Sequence, residues 1–130
     1  LYKIPETSLA DLAATIRRRL PAPTLRVVGD PKLRVTKVGI TPGAASFDKQ
    51  RQAFRSDDVE VLVIGEGREW EIVEYAADAV TAGQRKALIV TGHIPSEQDG
   101  MAEFTRWLGT FVTGVPITFL PAADPFWSPK

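Results

Sequence analysis

The sequence predicts an α/β protein, a three-layer sandwich on a mostly parallel sheet of about five strands. Three observations carry this. Residues 59–64 (Val-Glu-Val-Leu-Val-Ile) and 86–91 (Lys-Ala-Leu-Ile-Val-Thr) are short, nearly all apolar and rich in β-branched side chains. Such runs are strands covered on both faces, as in a parallel sheet. The segments around them repeat apolar residues every three or four positions, the period of an amphipathic helix. Strands and helices then alternate from Val35 onward, which implies βαβ units with right-handed crossovers.

At 130 residues the chain is one domain long, enough to bury a single core. Apolar residues are 44% and charged residues 25%, as in a soluble globular protein. Sixteen basic residues balance sixteen acidic ones, which argues against a nucleic-acid-binding domain. The absence of cysteine excludes disulfides, thiolate metal sites and a cysteine nucleophile. No apolar run is long enough for a membrane span and no secretory signal is visible, so a cytoplasmic location is expected. The first residue is Leu1, which fits processing, tag removal or a piece of a longer protein.

The elements follow in order. Residues 1–6 read as a connector. Ser8 with Asp11 gives the Ser-x-x-acid start of a helix over 8–19, with Leu9, Leu12, Ala13, Ile16 and Leu20 on one stripe. Arg17, Arg18 and Arg19 end it, where cations suit the helix dipole better than they suggest a phosphate patch. Residues 24–28 form a strand, Gly29-Asp30-Pro31-Lys32 a turn, and 35–40 the next strand, so an N-terminal hairpin is open to the chain. A small-residue loop, 41–46, leads into a helix over 47–55. After the 59–64 strand come Gly65-Glu66-Gly67 and a helix over 68–82 capped by Gly83. After the 86–91 strand a helix spans 96–112, Gly114 stops it, and 115–120 reads as a last strand. The tail 121–130 carries Phe126 and Trp127, aromatics that pack on the body or on a partner subunit.

In open α/β sheets ligands lie beyond the carboxyl ends of the strands. Three loops meet there: 41–46, 65–67 and 92–96. His93 is the only histidine, and Glu97 stands four residues later. Imidazole and carboxylate both ligate Zn, Mn, Fe or Ni. If the helix already begins at His93, both side chains share one face, and Pro95 is tolerated in a first turn. The competing reading is a loop histidine and a Glu97 that favours the helix dipole. Glu97, Met101, Phe104, Leu108 and Phe111 form one stripe, so a carboxylate on that face needs a partner. The 41–46 loop offers amides to a phosphate or is a tight turn capped by Ser46; it matches neither a Walker loop nor Gly-x-Gly-x-x-Gly. Glu66 suits a partner of His93 or a proton acceptor.

Three stretches bear a resemblance: Val61-Leu62-Val63-Ile64-Gly65-Glu66; Leu88 through Glu97 with its Gly-His-x-x-x-Glu; and Pro116-Ile117-Thr118-Phe119-Leu120 with Asp124-Pro125-Phe126. Together they resemble the C-terminal half of the NGG-interacting-factor-three-like family, also known as dinuclear-metal-centre hexameric proteins or GTP cyclohydrolase I type 2 homologues. The opening helix, Val27-Val28-Gly29-Asp30 and the following strand and loop are similar as well. The resemblance implies two α/β halves with a two-metal site between them. It implies that residues 1–130 are a single domain, the C-terminal half of a longer protein. His93 and Glu97 then become ligands to divalent ions, with Zn, Mn, Fe, Ni and Mg not distinguished. It further implies a homo-hexamer and a metal-dependent hydrolase or cyclohydrolase acting on a small phosphorylated or nucleotide substrate. The family's His-His pair and aspartate, from its other half, are not in this chain, so these residues alone are expected to be inactive. A non-catalytic assembly module is the alternative.

Overall fold

The computed structural model describes residues 1–123, 125 and 126. The elements are β1 (Tyr2–Ser8), α1 (Leu9–Arg19), β2 (Arg26–Val28), β3 (Arg34–Thr41), α2 (Phe47–Arg55), β4 (Val61–Ile64), a π-helical turn (Glu69–Val73) running into α3 (Glu74–Thr81), β5 (Ala87–Val90) and α4 (His93–Leu108). They build an α/β fold on one open five-stranded sheet in the order β1-β3-β4-β5-β2.

The centre is parallel: β3 pairs with β4 and β4 with β5, in the register Val38↔Val61↔Ala87 to Thr41↔Ile64↔Val90. Both edges are antiparallel, β1 on β3 and β2 on β5. The sheet is therefore mixed. Every residue of β4 and β5 is buried, as their apolar runs require. On one face Leu9 and Ala13 of α1 cover Val35, Val61, Val63, Ala87 and Ile89. On the other, Phe54 of α2 with Ala76 and Ala79 of α3 cover Leu62, Ile64, Leu88 and Val90. These are the three layers.

Ser8 caps α1 as its spacing predicts: its hydroxyl accepts from the Asp11 amide at 3.1 Å. The three arginines fill the last turn of α1. Gly83, at φ +81°, follows α3.

Three expectations are corrected. The connector over 1–6 is a strand. Pro5 is tolerated there because β1 is an edge strand, and the register slips between Lys3 and Thr7. That strand takes the free edge of β3, so β2 and β3 do not form a hairpin; β2 crosses to the far edge instead. Residues 115–120 form no strand. A strand needs a neighbouring edge to pair its amides and carbonyls, and this segment lies exposed, with Ala122 N–H bonded to Gln98 Oε1 at 2.9 Å nearby. Trp127 and Asp124 fall outside the described residues.

The first turn of α4 is anchored by buried Pro95. Beyond it Met101, Phe104, Trp107 and Phe111 are about half exposed. Phe104 stacks on Trp107, and Phe111 meets Trp107 edge-on.

Candidate metal centre

The carboxyl ends of β3, β4 and β5 bring the three loops together. Gly65 N–H donates to Thr41 O (3.2 Å), Glu66 N–H to Gly43 O (2.9 Å) and Gly92 N–H to Gly65 O (3.0 Å). Ser96 adds the cross-tie, accepting from Gly43 N–H at 3.0 Å and donating to His93 O at 2.7 Å. The backbones approach so closely that a side chain at Gly65 would overlap Gly43 and the Ser96 hydroxyl, each 2.5 Å from its Cβ. Beneath them, buried Thr91 donates its hydroxyl to Ile64 O at 2.9 Å.

Gly92, at φ +97°, turns the chain so that α4 starts at His93. Helical geometry therefore holds from His93 through Glu97. His93 Nε2 lies 2.8 Å from Glu97 Oε2, and its Nδ1 lies 2.8 Å from Glu66 Oε1. The structure unites all three residues singled out from the sequence. They form a chain, carboxylate–imidazole–carboxylate, with Glu97 tucked against Gly43. Both ring nitrogens can donate only in the imidazolium. The Glu66 hydrogen bond is the main cause that raises the His93 pKa above its ordinary value, helped by the charges of both glutamates and opposed by burial.

His93, Glu66, Arg68, Ser46, Gln50 and Phe126 line a cleft of about 1220 Å³. Ser46 stands at the N-cap of α2, but its side chain makes no capping bond. Thr41 Oγ1, at the end of β3, is buried without a hydrogen-bond partner among the described residues.

The Duf34/NIF3 (NGG1p interacting factor 3) profile matches residues 1–125. The chain belongs to this family. Solved structures share its fold. The Staphylococcus aureus protein SA1388 aligns with a TM-score of 0.70 at 23% identity, covering 97% of this chain and 40% of that one. A Bacillus cereus protein related to NIF3 aligns with a TM-score of 0.72 at 22% identity, covering 98% of this chain and 34% of the other. This NIF3-family chain thus spans well under half the length of the structures it matches. No curated protein matches it.

Among the described residues no three His, Cys, Asp or Glu side chains converge as a complete metal cage. His93 Nε2 and Glu97 Oε2 nevertheless stand side by side, two donor atoms of types that divalent ions accept. Their 2.8 Å separation is a hydrogen-bond distance, whereas neighbouring ligands of a tetrahedral ion bound at about 2.1 Å stand about 3.4 Å apart, so the pair must open by about half an ångström to hold an ion. Bringing an ion between them requires that the shared proton leave and that the two side chains move apart. Ser96 and Gln50 were not singled out from the sequence. Ser96 has no signal beyond its place in the first turn of α4. Gln50 has one, a polar residue on the inward stripe between Phe47 and Phe54.

Proposed function

We propose that this NIF3-family chain supplies the His93–Glu97 part of a divalent-metal centre, within a longer protein of which it is the C-terminal half. The observation that carries the proposal is the Glu66–His93–Glu97 chain, set where the ends of β4 and β5 meet α4. Glu66 accepts from Nδ1–H and so leaves the Nε2 lone pair for an ion, the usual division of labour on a ligating imidazole. Glu97 adds a carboxylate oxygen, and the close packing at Gly43 holds it beside the ring. The remaining ligands come from outside these residues. Bound there, a divalent ion supplies Lewis acidity and water activation, the chemistry of a metal-dependent hydrolase. The cleft beside His93 receives a small substrate, and the full protein works as a homo-oligomer.

A second reading, an assembly module without catalysis, is favoured by the aromatic face of α4, which is exposed in this chain. Metal analysis of the full-length protein separates the two, beside His93→Ala and Glu97→Ala. The metal reading expects at least one equivalent in the wild type and a clear loss in both variants. Equal metal content in all three removes the ligand assignment. Intact assembly without turnover of any phosphoester or nucleotide then favours the module.

A further inference from the structure

Gln50 is only 2% exposed, on a helix whose other buried residue is Phe54. An aliphatic side chain would fill such a position at lower desolvation cost, since a buried amide is unfavourable unless it is hydrogen-bonded. The Gln50 side chain crosses from α2 to the loop after β4, where Nε2 donates to Glu66 O at 2.6 Å.

That contact falls on a glycine-flanked turn beside the site. Glu66 lies between Gly65 and Gly67, and neither neighbour has room for a side chain: a Cβ on Gly67 would stand 2.6 Å from both Ile64 and Ile72. Glycine was therefore required for close packing, and it leaves the adjoining peptides free to rotate. Hydrogen bonds stop that rotation. The peptide before Glu66 is held at both its groups, Gly65 C=O by Gly92 N–H at 3.0 Å and Glu66 N–H on Gly43 O at 2.9 Å, and the peptide after it is held at Glu66 C=O by Gln50. With both flanking peptides held, the Cα–Cβ direction of Glu66 is set, and its carboxylate meets His93 Nδ1.

We infer that Gln50 is a positioning residue of this site, whose buried amide fixes the Glu66 backbone and thereby the carboxylate that orients the His93 ring. The inference rests on the metal-centre reading for its purpose. Its geometry is independent of any ion.

The test uses the full-length protein with Gln50→Met, which fills similar space without a donor, and Gln50→Glu, which presents an acceptor at neutral pH. The first readout is the ¹⁵N NMR signature of the His93 ring in metal-free protein, identified by its loss in His93→Ala. The wild type is expected to show a hydrogen-bonded Nδ1–H. Both variants are expected to lose that signature while thermal melts show a folded protein, a combination that a merely structural role does not produce. Zn²⁺ titration is the second readout, with affinity falling by about tenfold or more in both variants. If Gln50→Met does not fold, Gln50→Glu is read alone. Unchanged His93 ring signals in the folded variants overturn the inference. Metal retained by His93→Ala instead removes the metal-centre reading, and the ring measurement still decides the role of Gln50.

Discussion

Gly43→Ala tests how Glu97 is held. Gly43 sits at φ +61°, and a Cβ there would lie 2.3 Å from Glu97 Oε1 and 2.8 Å from its carboxyl carbon. Two costs follow. The left-handed backbone disfavours alanine by about 1–2 kcal/mol. The carboxylate must also retreat, which breaks its contact with His93. Both side chains of that pair are 44% exposed, so the contact is screened and contributes about 0.2–1 kcal/mol. The total is about 1–3 kcal/mol. Gly83→Ala supplies the control, because Gly83 has φ +81° and nothing within 4 Å of its Cβ. Denaturant melts should place Gly43→Ala below Gly83→Ala by no more than about 1 kcal/mol. Zinc titration should separate them sharply, with wild-type affinity in Gly83→Ala and a loss of more than about tenfold in Gly43→Ala. In a Glu97→Ala background the two glycine substitutions should cost the same. Wild-type zinc affinity in Gly43→Ala, or an added cost that persists without the Glu97 side chain, would refute the reasoning.

Two further outcomes are expected. The His93 pKa is raised in the folded protein, so the charged ring stabilises the fold below its ordinary value of 6.5, and that stability is lost as pH rises through the folded value. Denaturant melts of metal-free protein between about pH 5 and about pH 9 should show this decline in the wild type and a flatter profile in His93→Gln; parallel profiles would contradict it. Trp107 is 55% exposed at the middle of the α4 aromatic face. The 130-residue chain by itself should self-associate with rising concentration in sedimentation, and Trp107→Glu should shift it towards monomer; identical behaviour would place the association elsewhere.

The central layers were legible because burial on two faces leaves an unbroken apolar run, as in Val61–Ile64 and Ala87–Val90. The start of α1 was legible because Ser8 and Asp11 encode a local hydrogen bond. His93 and Glu97 were legible as a pair once a helix was placed under them. The edges were not. β1 has a proline, a register slip and mostly exposed side chains, so neither alternation nor apolarity marks it. Residues 115–120 show the opposite failure: the pattern is that of a strand, and no sheet edge meets it. Gln50 and Ser96 were obscure for a different reason. Their partners, Glu66 and Gly43, are distant in sequence, and only the converging loops give those polar side chains their work.

The placement of β2 also governs how the molecule can assemble. β1, β3 and β4 can all pair as soon as β4 has been made, β1 on β3 and β3 on β4. β2 cannot. Its only partner strand among the described residues is β5, roughly sixty residues further on, so it stays unpaired until that strand has formed. The wall of the cleft that Pro23, Leu25 and Arg26 provide closes with it, as does the ion pair of Arg26 with Glu69 across the cleft mouth. Loop closure over that distance slows the last step of folding, and a nascent chain carries an unpaired strand for longer than its short length suggests. The cleft is therefore a late product of folding, completed only when the edge strand β2 meets β5, the last-made strand among the described residues.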